Sequence, residues 1–217
     1  MSDSPFFFRC INEACHEKFD IGRKLYQCPS CSDLLDIIKP PPDLDPDQLK
    51  DLFRRRTAST DPLDISAVWR YREFLPFEKK DLRHVVTMGE GNNPVLETPR
   101  CAEYVGLNRL RVKHLGWNPT GSFKDYGMTT AVTQAKKLGS SVVACASTGN
   151  TSASMAAYCA RAGLRAVVFI PEGQIAFRKL SQSLDYGALT LQLEGNFDVA
   201  MGLVRELSDE TDLYLMN

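Results

Sequence analysis

From about residue 82 onward the chain alternates short apolar runs with stretches of helical periodicity, and this alternation constrains the fold more than any other feature. The apolar runs are RLRVKHL, SVVACAS, RAVVFIP, ALTLQLE and LYLMN. Between them, helices are predicted from about Lys124 to Leu138, Thr151 to Ala162, Ile175 to Tyr186 and Phe197 to Ser208. Strand and helix in regular alternation is the pattern of a parallel sheet. The runs are continuously apolar, not alternating, as expected where helices cover both sheet faces. We therefore expect residues 82–217 to form an α/β, doubly wound, mainly parallel domain. The last apolar run stops at Asn217, which leads us to expect a partial domain whose C-terminal half is missing.

The first 81 residues read differently. Four of the seven cysteines, Cys10, Cys15, Cys28 and Cys31, crowd into the first 31 residues. An odd total argues against a complete set of internal disulfides. A C-x4-C pair and a C-x2-C pair, twelve residues apart, would place four thiolates around a tetrahedral zinc, with His16 as a substitute for Cys15. Residues 1–39 are expected to be a small β-rich, zinc-ribbon-like module whose metal would be structural. Pro40, Pro41 and Pro42 follow; they donate no backbone hydrogen bonds and hold the chain extended, marking a linker. Residues 40–81 then carry short helices, with Asp47 and Asp64 or Ser66 placed to cap them. The basic run Arg54-Arg55-Arg56 is expected on a solvated helix face, and Cys101, Cys145 and Cys159 as small buried side chains. His84 and His114 are isolated and need no function.

Bulk properties narrow the partners. With 26 Lys and Arg against 27 Asp and Glu the net charge is -1, so no general field attracts nucleic acid or membrane. No run reaches the roughly 20 apolar residues that a bilayer requires, and the start MSDSPFFFRC lacks a secretory pattern. A cytoplasmic protein acting on a small molecule is the expectation.

The chemistry concentrates at Lys124. It follows Pro119, Thr120, Gly121 and Ser122 at the expected start of a helix, where the macrodipole disfavours a cation and favours the neutral amine that a nucleophile requires. Such an amine forms an imine with an aldehyde. Alone, a lysine there is more often a solvated charge beside a capping hydroxyl. A second motif, Ser147-Thr148-Gly149-Asn150-Thr151-Ser152-Ala153-Ser154, lies between an apolar strand and a small-residue helix, where loop amides and a helix N-terminus hold anions in open α/β sheets. By itself it divides evenly between a well-capped helix and a site. A third stretch, Met88-Gly89-Glu90-Gly91-Asn92-Asn93-Pro94-Val95-Leu96, would alone be read as a turn.

Taken together, Asn118-Pro119-Thr120-Gly121-Ser122-Phe123-Lys124-Asp125 and the asparagine loop resemble the fold-type II pyridoxal-phosphate enzymes. The Gly-Glu-Gly-Asn stretch, the segment GQIAFRKLSQSLDYGALTLQLEGNFDVAM and Cys28-Pro29-Ser30-Cys31-Ser32-Asp33-Leu34-Leu35-Asp36 make the threonine synthases the nearest likeness within that family. The chain departs from their pattern at Asn93, where threonine is usual, and at Tyr126, where many have arginine. The resemblance implies that Lys124 carries pyridoxal phosphate as its Schiff base and that Phe123 and Asn150 also bind the cofactor, Asn150 at its ring hydroxyl. It implies that Ser147, Thr148 and Thr151 hold the substrate carboxylate or phosphate. The implied reaction is that of a carbon–oxygen lyase acting on a phosphate: O-phospho-L-homoserine and water give L-threonine and phosphate. A glycine-rich loop for the cofactor phosphate and a Ser or Thr beside the pyridine nitrogen, both expected of the family, are not found before Asn217. Cysteate synthase and threonine dehydratase remain alternatives, as does a zinc-ribbon binding module on an inactive body. The resemblance leaves a homodimer or a monomer open.

Overall fold

A computed structural model of the chain describes residues 4–173 and 177–216, the first three residues after the interruption through their backbone alone. The predicted helix start at Ile175, the Gln174–Ala176 part of the GQIAFRKLSQ stretch and the end of LYLMN at Asn217 lie outside the described residues.

The N-terminal segment forms a small antiparallel sheet in the order β2-β1-β3, from β1 (Phe7–Cys10), β2 (Lys18–Asp20) and β3 (Leu35–Ile38). Its interior is slight: Cys10, Phe19 and Cys28 are buried, with Phe8, Leu25 and Leu35 packed around them. After the prolines come α1 (Pro46–Arg56) and α2 (Pro62–Ile65). Asp45, not Asp47, caps α1 and closes a capping box with Gln48. Pro46 explains the shift, since proline has no N–H to satisfy and its fixed φ suits the first helical position. Asp61 caps α2 ahead of Pro62 in the same way.

The basic run is not uniformly solvated. Arg54 and Arg55 are exposed, but Arg56 is buried and binds Glu73 through both terminal nitrogens, with Asp64 3.4 Å from its Nε. Arg72 meets Asp64 from the other side at 2.7 Å. This cluster ties α1 and α2 to the turn at Trp69–Phe74, which in turn packs on the main domain. Trp69 is fully buried and donates to Thr129 Oγ1, and that hydroxyl donates to Val86 O.

The main domain contains β4 (Val95–Glu97), α3 (Pro99–Tyr104), β5 (Arg111–Lys113), α4 (Lys124–Lys137), β6 (Val142–Ala146) and α5 (Asn150–Ala162). It continues through β7 (Arg165–Pro171), α6 (Phe177–Asp185), β8 (Leu189–Leu193), α7 (Phe197–Glu210) and β9 (Tyr214–Leu215). Strands β6 to β9 make a wholly parallel sheet in the order β8-β7-β6-β9. Alternate strand residues serve the two faces, as the pleat requires. Val143, Cys145, Val168 and Ile170 pack with α4 and α5, while Ala144, Ala146, Val167 and Phe169 pack with α7. The central strands β6 and β7 are covered on both faces, as their continuous apolar runs predicted, whereas the edge strand β8 leaves Leu189 and Leu191 exposed.

Two further expectations need correction. The RLRVKHL unit does not join the parallel sheet; β5 pairs antiparallel with β4 in a separate ribbon whose residues are all exposed, as its charges at Arg109, Arg111 and Lys113 require. Cys101 is exposed, because α3 lies beside that ribbon and buries only Ala102; Cys145 and Cys159 are buried as expected. Among the described residues no helix is long and apolar enough to cross a membrane.

The Arg56–Asp64–Arg72 cluster generates a pH prediction. Burial alone would raise the Asp64 pKa, but hydrogen bonds from Arg72 and Ser59 and the charges of Arg72 and Arg56 outweigh it and hold the carboxyl below its usual range. A depressed folded-state pKa contributes stability that is present above the unfolded value of about 3.9 and is lost as pH falls through the folded value. Asp64→Asn should therefore lower stability at pH 7 by about 1–3 kcal/mol. In thermal melts the gap to the wild type should close as the pH falls below about 4.

Candidate active site

The sheet places its own candidate site. From β6 the chain winds outward through β7 to β8, then returns by α7 to β9 on the other side of β6. The order thus reverses between β6 and β9, and ligands of open α/β sheets bind at the carboxyl ends of strands at such a reversal. The loop leaving the carboxyl end of β6 is Ser147–Gly149, and α5 starts at Asn150. Among the described residues no side chain caps α5, which leaves its N-terminus open to a ligand. The Oδ1 atom of Asn150 is buried and finds no hydrogen-bond partner among the described residues. An unsatisfied buried carbonyl costs about 1–3 kcal/mol, which a bound polar group would offset. Ser147 accepts from the Gly149 amide at 3.2 Å, which shapes the loop.

Lys124 is the first residue of α4 and is half-buried. Its amide lies 3.3 Å from Ser122 Oγ, and its Nζ sits 5.2 Å from the centre of the exposed Phe123 ring. Lys124 opens into a cavity of about 750 Å³, which Thr151 lines from the first turn of α5 and Gly127 and Met128 line from α4. The structure thus brings Lys124 and Thr151 to one cavity, while Phe123, Ser147, Thr148 and Asn150 are not among its lining residues.

Two buried polar networks hold this arrangement. The Asp125 carboxyl is fully buried beside Lys124; it accepts from the Thr120 amide at 2.8 Å, from Thr120 Oγ1 at 2.5 Å and from Ser154 Oγ at 2.5 Å. One side chain thereby fixes the lysine loop and joins it to α5. On the other flank, the buried Asn118 donates to Ser122 O at 2.9 Å and accepts from the Gly91 amide at 2.9 Å and Asn93 Nδ2 at 3.2 Å. Asn93 Oδ1 in turn accepts a short hydrogen bond from Tyr126. The two positions at which the sequence departs from the family pattern therefore touch each other. Gly91 admits no side chain, because a Cβ would lie 2.2 Å from Ala67 Cβ and its φ is +93°.

Sequence reasoning missed the partners of Glu90, which is fully buried. It accepts from Ser66, from Thr87 Oγ1 at 3.1 Å, from the Met88 amide at 3.2 Å and from Tyr158 OH at 2.7 Å. Burial, and then the Glu90 charge, push the Tyr158 hydroxyl far above its ordinary pKa, so it stays a donor. The available signal was Tyr158, a large hydroxyl-bearing residue within the small-residue stretch from Ala156 to Ala160.

The cysteine cluster forms a second candidate centre. The Sγ atoms of Cys10, Cys15, Cys28 and Cys31 all lie within 4.8 Å of one another, and all four cysteines are free thiols. The closest pairs are Cys10–Cys31 at 3.4 Å and Cys15–Cys28 at 3.7 Å. Thiolates around a tetrahedral zinc with Zn–S of about 2.3 Å stand about 3.8 Å apart, so the donor set matches. Cys15 completes it and His16 is not part of it. Burial pushes the Cys10 thiol up to about 12. Burial also acts to raise Cys28, but the amides of Ser30 and Cys31 and the neighbouring thiols outweigh it and bring Cys28 down to about 7.

Comparison with known proteins adds the family. Residues 86–217 match the model of a family described as pyridoxal-phosphate dependent enzyme. Threonine synthase of Methanocaldococcus jannaschii is 43% identical over 96% of this chain and 48% of its own length. The threonine synthase of Methanosarcina acetivorans is 42% identical over 98% of the chain and 48% of its own length. That of Halalkalibacterium halodurans is 50% identical over 68% of the chain and 41% of its own length. The chain spans about half the length of the curated relatives it matches. Among solved structures, holo diaminopropionate ammonia lyase from Escherichia coli superposes with a TM-score of 0.54 at 19% identity, over 64% of this chain and 41% of that one. O-ureido-L-serine synthase gives 0.52 at 20% identity, over 64% and 44%. These two likenesses show the fold.

Asp125→Ala would strand the Thr120 amide and the Thr120 and Ser154 hydroxyls. Urea unfolding should register a loss on the order of 3 kcal/mol. A change below about 1 kcal/mol would mean that the carboxyl does not hold the two loops together.

Proposed function

The chain belongs to the family of pyridoxal-phosphate dependent enzymes, and from that membership we propose that the protein containing these residues is a threonine synthase, converting O-phospho-L-homoserine and water to L-threonine and phosphate. The observation that carries this reading is the position of Lys124, at the start of α4 and open to a cavity shared with the first turn of α5. The relatives at 42–50% identity that bear that name support it.

The residues fit the cofactor. The buried Asn150 Oδ1, without a partner among the described residues, marks a place for a polar ligand group, and the α5 N-terminus, which no described side chain caps, favours an anion. Lys124 would hold pyridoxal phosphate through Nζ, with Asn150 at the ring hydroxyl and Phe123 beside it. When bound, the cofactor supplies an electron sink for negative charge developing next to the substrate amine. The chain's own groups do the rest. The Lys124 amine takes a proton from the substrate Cα and one from Cβ; phosphate leaves Cγ, Cγ gains a proton to become the methyl group, water adds its hydroxyl at Cβ and gives its other proton to the phosphate, and a proton returns to Cα. Ser147, Thr148 and Thr151 hold the carboxylate and phosphate through their hydroxyls, aided by the first amides of α5. The Asp125 and Asn118 networks keep the lysine loop in register, which a reaction with several proton transfers at one amine requires.

We assign residues 1–39 as a structural zinc-ribbon-like module with Cys10, Cys15, Cys28 and Cys31 as ligands, residues 40–81 as the proline linker and short helices, and residues 82–217 as the catalytic α/β domain. The matching thiol geometry supports the metal. A cytoplasmic location suits an enzyme of this chemistry.

Phosphate release from O-phospho-L-homoserine, followed together with threonine formation, tests the function. The wild-type protein with pyridoxal phosphate should form both products in equal amounts, and Lys124→Ala should lose at least about 10³-fold in kcat, in the range expected when a covalent and acid–base group is removed. Turnover of O-phosphoserine with sulfite, and none of O-phospho-L-homoserine, would contradict the substrate assignment. Metal analysis should find stoichiometric zinc, reduced in Cys28→Ser; zinc-free native protein would contradict the metal.

A further inference from the structure

The cysteine module touches the lysine cavity. Between Asp20 and Cys28 the chain leaves the small sheet and runs against the far end of the main domain. There Lys24 Nζ donates to the carbonyls of Ser208, Thr211 at 2.7 Å and Leu213 at 3.1 Å, closing the C-terminal end of α7. A lysine at a helix C-terminus satisfies orphan carbonyls and faces the favourable end of the macrodipole. Two residues on, Tyr26 OH accepts from the Leu215 amide at 2.7 Å and lies 3.3 Å from Ser208 Oγ, and its ring meets Tyr214 edge-on at 6.0 Å. Tyr26 thus covers the open edge of β9, the strand beside the sheet reversal. The segment then ends at Cys28, a member of the thiol cluster.

Lys24, Tyr26 and Cys28 line the same cavity of about 750 Å³ as Lys124 and Thr151. α7 and β9 complete it through Met201, Arg205 and Leu215. A module of this size has little interior of its own to keep that segment in place, since among its described residues only Cys10, Phe19, Ile21 and Cys28 form a buried apolar set.

We propose that residues Lys24–Cys28 form a wall of the lysine cavity that the metal-bound cysteine cluster holds in place, with Lys24 and Tyr26 acting as positioning residues for α7 and β9. This rests on the zinc and active-site readings above. Lys24 and Tyr26 touch no reacting atom; they set the distance between the lysine helix and the opposite wall. Metal loss releases Cys28, the segment loosens, and the substrate meets a wider cavity. The metal takes no part in the chemistry, and yet substrate affinity depends on it.

The test uses the native-length holoenzyme, wild type and Tyr26→Phe, before and after zinc removal by a chelator, with Lys24→Met as a second variant. Melting curves check that the fold persists. Zinc removal and Tyr26→Phe should each raise KM for O-phospho-L-homoserine about threefold to tenfold, the range of one or two lost hydrogen bonds, and leave kcat within about twofold. Because both act through one wall, stripping Tyr26→Phe should add little further, and added zinc should restore the wild type but not the variant. Unchanged KM in both, or effects that multiply, would overturn the proposal. A protein that holds no zinc but shows the Tyr26→Phe and Lys24→Met increases would contradict the metal reading while leaving the wall supported. If O-phospho-L-homoserine is not turned over at all, the dissociation constant of pyridoxal phosphate, read by protein fluorescence, decides the same comparison independently of the substrate.

Discussion

A buried carboxyl without hydrogen bonds is among the least tolerable groups in a protein interior, and the site is organised around one that has three. Asp125 stands next to Lys124, is fully shielded from solvent and takes its bonds from Thr120 and Ser154. Burial makes each of those bonds matter, because a charged or polar group that loses its partner in the interior costs several kcal/mol. The consequence is mechanical. The loop that presents the lysine cannot move relative to α5 without leaving Asp125 unsatisfied, so the amine and the asparagine loop behave as one unit.

The surrounding architecture explains why a polar centre is affordable there. The parallel sheet carries its apolar residues on both faces, and α4, α5 and α7 cover them. Polar groups are then concentrated at the carboxyl ends of strands, where the reversal between β6 and β9 leaves a crevice. Glu90 repeats the device one turn further along the same face of α5, held by Ser66, Thr87 and Tyr158, and Asn118 links the Gly89–Asn93 loop to the lysine loop. The early segment takes part too: Ser66 reaches Glu90, Trp69 reaches Thr129 and Lys24 closes α7. Residues distant in sequence thus converge on the elements that position one lysine.

Strands β6 and β7 and the helices that follow them were legible because a strand buried on both faces leaves a continuous apolar run, and little else does. The lysine and asparagine motifs could be read as candidates for a local reason, since each is a short continuous run of residues in one loop. What escaped reading depends on long-range contacts. RLRVKHL has the apolar content of a strand, but its charges at Arg109, Arg111 and Lys113 recur at every second position, the period of one strand face, Val112 between them is exposed too, and it pairs with β4 outside the sheet. Arg56 looks like its two neighbours in sequence and is distinguished only by meeting Glu73 and Asp64. The Glu90–Tyr158 bond spans 68 positions and the Tyr26–Leu215 bond 189, and no periodicity encodes such pairs. The contact between Asn93 and Tyr126 shows the same limit: both departures were visible, but not that they answer each other.

The central claim is that Lys124 is the residue that carries the cofactor. The most direct measurement is borohydride reduction of the native-length protein in the presence of pyridoxal phosphate, followed by peptide mapping by mass spectrometry. The account predicts the reduced cofactor on a single peptide, covalently attached at Lys124, with no fixation in Lys124→Ala. Fixation on another lysine, or none in a folded wild-type protein, would contradict it.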